Sequence, residues 1–336
     1  MKKTWLLPLL SGSILIGCQS TQIEKGATAS LQSIDLKALD TTISPADDFF
    51  VFANGTWIAN TEIPASESRW GSFNELEQAN NKKLIGILKE AAENPGALGS
   101  QNQLLGAYFV SYTDMTRRNE LGIQPIQEDL QKIAAIQNLD ELQVLISALH
   151  KDGVGAFFGF GVGQDLKNVD KNVAYLGQGG IGLPNRDYYF DEKYAAVQTA
   201  YIKHIASCFE LAQMPEGMKA AQRIYDLEHR LAESMLRPSE MREPEKTYNK
   251  QALAEVIRSF GPHFNFKRYL NDVGCAIPDT IIVSNPNYNI KLSQTWEDLP
   301  LSDIKFYLQW CVINHYAGHL NEAFVNLNFA FYEGVL

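Results

Sequence analysis

A helical period in the second half of the chain sets the strongest limit on its fold. Tyr194, Val197, Tyr201, Ile205, Cys208 and Leu211 recur every three or four residues, as do Ile224, Leu227, Leu231 and Met235. Side chains at that spacing share one face of an α-helix, so each run lays down an apolar stripe that must pack against another element. A half-buried strand would alternate with a period of two. The spacing and caps predict further helices from Ser72 to Asn94, closed by Pro95-Gly96, and from Ser100 towards Gly122, with Leu105, Tyr108, Phe109 and Tyr112 in register. Others are expected near Pro125–Ile136, Asp140–Lys151 and Lys250–Phe260. A last long helix should run from Ser302-Asp303 towards Asn321. Ala156 to Val162 and Asn172 to Leu176 read instead as a hairpin or small sheet, and Thr280 to Val283 is a short apolar run stopped by Asn285-Pro286. The expected fold is mainly α, a large helical domain with a small β hairpin or sheet.

The N-terminus reads differently. Lys2 and Lys3 precede a mostly apolar run from Trp5 to Ile16, of signal-peptide length and too short for a permanent bilayer span. It ends in Leu15-Ile16-Gly17-Cys18, which resembles the lipobox of bacterial lipoproteins. That resemblance implies cleavage before Cys18 and lipidation of Cys18, whereas an ordinary secretory signal with a chance cysteine is the plainer alternative. The expected organisation is a signal peptide at 1–17, a tether rich in Ser, Thr, Gln and Ala at 18–45, and a folded part at 46–336. A membrane partner through the lipid anchor and a place in the bacterial cell envelope, outside the cytoplasm, follow from it. Gln19 supplies no acidic retention signal.

Charge and cysteine narrow the classes further. With 29 Lys+Arg against 39 Asp+Glu the formal net charge is −10, the wrong sign for neutralising phosphates, so a nucleic-acid partner is not expected. Cleavage would leave Cys208, Cys275 and Cys311, an odd number, so at least one thiol stays unpaired within the chain. Cys208 and Cys311 fall on apolar helical faces, as buried free cysteines do.

Several motifs invite chemistry. Gly177-Gln178-Gly179-Gly180-Ile181-Gly182 spells G-x-G-x-x-G after a possible strand, but a phosphate cradle needs a helix to begin within it. Leu183-Pro184-Asn185-Arg186-Asp187 follows, and reads as a turn. His315 and His319 stand four residues apart, the spacing of two zinc ligands on one helical face. Tyr316 occupies the place where a zinc peptidase needs its glutamate base, and no third ligand follows at the expected spacing, so partly buried histidines are the expectation. No G-x-S-x-G elbow is present. Arg69, between Glu62-Ile63-Pro64 and Trp70, stands where an arginine can grip a carboxylate with two hydrogen bonds, although an ordinary ion pair is the simpler role.

A resemblance joins these pieces. Asp48-Phe49-Phe50-Val51-Phe52-Ala53-Asn54-Gly55-Thr56-Trp57, then Ile63-Pro64 and Ser68-Arg69-Trp70-Gly71-Ser72-Phe73, resemble the opening of the M13 (neprilysin-like) zinc metallopeptidases. Gly182-Leu183-Pro184-Asn185-Arg186-Asp187-Tyr188-Tyr189 is similar to the family's G-L-P-x-R-D-Y-Y block. Tyr307-Leu308-Gln309-Trp310, Ala317, Leu320 and Phe329-Ala330-Phe331-Tyr332 complete the order. The resemblance implies a two-lobed zinc peptidase, of which residues 46–336 are the helical N-terminal domain that gates access of peptide substrates. The family's H-E-x-x-H helix, its downstream glutamate ligand and its substrate-gripping Asn-Ala strand are not found here. Zinc is therefore expected of the family, with no zinc ligand and no catalytic residue identified in this sequence. Arg69 matches the arginine that holds a peptide's C-terminal carboxylate in some members, and Asn74 stands where those members carry an acid. The reading is the substrate-gating part of a membrane-tethered zinc peptidase, inactive alone. Its alternatives are one half of a split peptidase, with a separate catalytic zinc domain as partner, and a non-catalytic peptide-binding lipoprotein.

Overall fold

The computed structural model describes residues 35–65 and 67–336, so the expected signal peptide, Cys18 and most of the tether lie outside the described residues. Two compact units divide the chain, residues 1–87 and 88–336, with the boundary inside one helix.

In the first unit, Asp48 caps α1 (Phe49–Asn60) by accepting the Val51 N–H at 2.9 Å. Thr56 donates its hydroxyl to the Leu39 carbonyl at 2.7 Å, holding the preceding segment against α1. α2 (Ser72–Glu93) begins at Ser72 and carries the chain into the second unit. No described residue of 35–87 is buried, whereas Phe49, Phe50, Phe73, Leu76 and Leu84 are all more than half exposed. These helices have apolar faces and no core of their own.

The second unit holds the core. α3 (Gln101–Thr113) is capped by Ser100, as the sequence predicts, but the expected helix towards Gly122 is broken. Asp114 ends α3 and accepts the Arg117 N–H at 2.9 Å, starting α4 (Met115–Leu121). An Asx side chain competing for a backbone N–H is a routine way to divide a helix. α5 (Gln124–Ala135) and α6 (Leu139–Lys151) follow within a residue or two of expectation. The hairpin is present as β1 (Phe158–Asp165) and β2 (Asn168–Gln178), paired antiparallel.

After the four-residue helix α7 (Asp187–Phe190) come α8 (Ala195–Leu211) and α9 (Pro215–Glu233), which carry the two apolar stripes. Ile224, Leu227 and Leu231 are each at most 2% exposed, contributing about 1.5–3 kcal/mol apiece through burial. Two short turns of helix follow, α10 (Pro238–Met241) and α11 (Pro244–Thr247), each with a proline in its first turn.

The expected helix at Lys250–Phe260 requires correction. Its first residues form β3 (Asn249–Ala252), and only then does α12 (Leu253–Ser259) begin. β3 pairs antiparallel with β4 (Thr280–Val283), which lies parallel to β2 and gives the order β1-β2-β4-β3. Ile281, Ile282 and Val283 are all buried, so β4 is covered on both faces and reads as an unbroken apolar run. The remaining helices are α13 (Phe266–Asp272), α14 (Pro286–Asp298), α15 (Leu301–Tyr316) and α16 (Glu322–Tyr332). The fold is thus mainly α with a small mixed sheet.

Candidate functional site

Arg69 lies in the irregular segment just before α2 and is exposed. In the same unit Pro64, Glu67, Trp70, Asn74, Glu77, Gln78 and Asn81 line a polar cavity of about 310 Å³, whose lining does not include Arg69. Trp57 donates its indole N–H to Glu75 at 3.1 Å, tying α1 to the first turn of α2. Among the described residues Arg69 makes no ion pair, which leaves its guanidinium open to an external carboxylate. Asn74 offers no charge to orient it.

His315 lies in the last turn of an α-helix and His319 in the turn beyond it, so the continuous helix that their spacing suggests is interrupted between them. α15 ends at Tyr316, and Ala317–His319 winds as a 3₁₀ turn, so the expected continuous helix towards Asn321 is divided. The His319 ring packs edge-on against Tyr112 at 5.6 Å, and the His315 ring against Tyr316 at 4.6 Å. Among the described residues no three His, Cys, Asp or Glu side chains are placed to hold a metal ion. The described residues therefore do not fit the family's zinc.

The Gly-rich motif is a packing device. Gly177 and Gln178 end β2, no helix starts inside the motif, and the next helix is the four-residue α7. Gly180 has φ +82°, and a Cβ there would meet Phe157 N and Tyr307 Oη at 2.5 Å. A Cβ on Gly182 would lie 1.9 Å from Tyr201 Oη.

What the motif encloses is Glu228, which sequence reading did not single out. This carboxylate, on the apolar stripe of α9, is 1% exposed. Its Oε2 accepts the hydroxyls of Tyr189 at 2.7 Å and Tyr201 at 2.9 Å, and the Gly182 N–H at 3.3 Å. The Trp310 indole N–H donates to Tyr201 Oη at 2.9 Å, holding that hydroxyl in place. Among the described residues no cation pairs with Glu228, and burial pushes its carboxyl up to about 7, opposed only in part by the tyrosine hydrogen bonds. Sequence offered one signal, an acid beside Leu227 on a stripe that otherwise alternates apolar and small residues.

Beneath this cluster Phe157 holds φ +59°, unusual for a bulky residue. Its N–H donates to Tyr307 Oη at 3.0 Å and its carbonyl accepts Tyr288 Oη at 2.5 Å, so surrounding hydrogen bonds fix the strained backbone. Elsewhere Cys208, Cys275 and Cys311 are all free thiols, and burial pushes Cys208 up to about 12, making it inert near neutral pH.

A mainly helical unit with a small four-stranded sheet in this order of elements is, in class, the N-terminal domain of a metallopeptidase. The family model described as Peptidase family M13 matches residues 45–336, and the chain belongs to that family. It is 27% identical to endothelin-converting enzyme 1 of Bos taurus, covering 91% of this chain and 42% of the bovine one. Neprilysin-3 of Drosophila melanogaster is 26% identical over 86% of this chain and 40% of its own. The zinc metalloprotease Zmp1 of Mycobacterium tuberculosis, solved with an inhibitor, superposes with a TM-score of 0.82 at 30% identity, covering 90% of this chain and 47% of that one. PepO of Lactobacillus rhamnosis, at 21% identity and a TM-score of 0.67, shares the fold. The chain spans less than half the length of these relatives.

Proposed function

We propose that this chain is the substrate-gating part of a membrane-tethered zinc peptidase that cleaves peptides, with the zinc chemistry carried by residues other than those described. The observation that carries the reading is the family match over 45–336 alongside coverage of under half of each relative. The uncovered apolar side chains of α1 and α2, such as Phe50 and Phe73, agree with a surface that meets further protein. In this reading the domain restricts which peptides reach the zinc, and the open guanidinium of Arg69 takes the peptide's C-terminal carboxylate as a charge-assisted pair. Lipidation of Cys18 holds the assembly at the cell envelope, so Cys18→Ser should release the protein from membranes or leave it unprocessed.

The test is a quenched-fluorescent peptide assay with added zinc, alongside elemental analysis after dialysis. The chain alone should neither cleave peptides nor retain stoichiometric zinc, and adding a separately expressed zinc-bearing half should restore cleavage. One tightly held zinc per chain, lost together with activity in His315→Ala, would overturn the reading. Peptide binding that never leads to cleavage with any zinc-bearing half would select a non-catalytic peptide-binding lipoprotein instead.

A further inference from the structure

Glu228 forms the floor of a cavity of about 220 Å³ whose other lining residues include Gly155, Gly180, Ile181, Trp310, Asn314 and His315. Gly155 and His315 are exposed at its mouth, while Glu228 is buried at its base. The carboxylate is satisfied by neutral donors alone, and among the described residues it has no counter-charge. A buried carboxylate at the base of a recess has two routes to compensation, taking up a proton or taking up a cation. The recess is several times the roughly 30 Å³ that a water occupies, and it is walled partly by Ile181 and Trp310. It lacks three convergent metal-ligating side chains among the described residues, which disfavours a bare metal ion.

We propose that this cavity is a binding site for an organic monocation, a primary ammonium or guanidinium group, with Glu228 as its counter-charge. Asn314 Oδ1, which already accepts Tyr332 Oη at 3.0 Å, has a second lone pair to offer the same head group. Ile181 and Trp310 cover its alkyl stem. The strained Phe157 and the close-packed Gly180 and Gly182 hold the walls, so the recess is preformed. The head group can come from a lysine or arginine side chain of a peptide or from a free amine. This site is independent of the peptidase reading, since it is tested by binding alone.

Proton and cation compete for one carboxylate, which fixes the pH dependence. Glu228 is largely protonated at pH 6 and ionised at pH 8, so affinity should rise about tenfold between them. The groups facing it are Tyr189 on α7, Tyr201 on α8, Tyr225 on its own helix, Tyr307, Cys311 and His315 on α15, and Tyr332 on α16. Burial raises the tyrosines and Cys311, which stay neutral across this range. Burial lowers His315, so it charges only towards acid, and the tenfold rise should persist in His315→Gln.

The experiment is isothermal titration of the purified chain in amine-free buffer at pH 6 and pH 8. The probes are n-butylammonium, n-butanol and a lysine tripeptide with both termini blocked. Saturable one-site binding of n-butylammonium is expected at pH 8, with none for n-butanol. Glu228→Gln should weaken it at least tenfold. Gly155→Leu guards against a folding artefact, because a Cβ there meets nothing within 4 Å and the side chain would close the mouth without touching Glu228. It too should weaken binding at least tenfold. A tripeptide binding as tightly as n-butylammonium marks a peptide source, and a much weaker one marks a free amine. No saturable binding, equal binding of n-butanol, or unchanged binding in Gly155→Leu would each overturn the proposal.

Discussion

Replacing Glu228 by glutamine should change how stability depends on pH in a calculable way. The carboxyl has an ordinary value of 4.5 and is pushed up to about 7 because burial penalises the charged form. A raised acid contributes stability that is fully present below its unfolded value and is lost as pH rises through its folded value. The loss therefore runs from about pH 4.5 to just above 7, and 2.5 units at about 1.4 kcal/mol each give roughly 3.4 kcal/mol. About 2.5 kcal/mol of that falls between pH 5 and pH 8. Glutamine keeps an acceptor for Tyr189 and Tyr201 but does not ionise, so the variant escapes the loss. At about 2.1 cal/mol/K per residue, a unit spanning Leu88 to Leu336 converts this to about 5 °C. The assay is thermal unfolding by circular dichroism in phosphate, for both proteins, at pH 5 and pH 8. The variant's melting temperature, relative to wild type, should rise by about 5 °C between the two. Every other titrating group is shared and cancels in that comparison. A difference that stays within 1 °C across the range would refute the account of Glu228 as a buried, uncompensated carboxylate.

Lys250→Met should loosen the end of the hairpin, because the buried Asp165 carboxylate accepts Lys250 Nζ at 2.6 Å, Tyr248 Oη at 2.7 Å and the Lys167 N–H at 3.0 Å. Lys250 is the main reason that Asp165 sits well below the usual carboxylate range. Its half-exposed amine limits the cost to about 1–3 kcal/mol, seen as faster amide exchange in β1 and β2, with acid loss moving up towards pH 4. Gly182→Ala should destabilise by about 1–3 kcal/mol by thermal denaturation, since its Cβ would overlap Tyr201 Oη. In the assembled enzyme, Arg69→Ala should cost about 1.5–3 kcal/mol of kcat/KM for peptides with a free C-terminus and much less for amidated ones. Equal losses for both would show that Arg69 is structural.

The helices legible in sequence have long stripes or local caps, as where Ser100 accepts the Gln103 N–H at the start of α3. α1, capped by Asp48, was not expected, because its residues show no stripe. What else escaped depended on tertiary partners or on short segments. Lys250 and Gln251 have no strand signature of their own, and they become β3 only because β4 offers a ladder. Asn285-Pro286, the stop that follows β4, is also a start: Asn285 caps α14 at Tyr288 N, and Pro286 occupies the first turn, where its missing N–H costs nothing. The break after Tyr316 carries one local mark in sequence, Gly318 within the 3₁₀ turn. Arg69 was visible as a motif residue, and the structure leaves it exposed. Glu228 was hidden because one acid on an apolar stripe looks the same in sequence whether it reaches solvent or not.

The blocks that carry the family resemblance in the second unit are far apart in sequence and meet at one place. Gly182 and Tyr189, from the first block, both donate to Glu228. Trp310, from the second, secures Tyr201, and Tyr307 of the same block donates to the Gly180 carbonyl at 2.8 Å. From the last, Phe331 packs against Tyr201 and Tyr332 donates its hydroxyl to the Gly182 carbonyl at 3.4 Å. A buried carboxylate is costly without hydrogen-bond partners, and its three donors, Gly182, Tyr189 and Tyr201, must then hold fixed positions. That requirement accounts for glycines where no Cβ fits and for aromatic residues carrying hydroxyl or indole donors where phenylalanine would pack equally well. The blocks are therefore recognisable for their part in holding one acid in a dry site, and the acid itself stands outside all of them. Their joint demand is a network in which Tyr189→Phe and Tyr201→Phe should not be additive, because either change alone already leaves the carboxylate short of a donor.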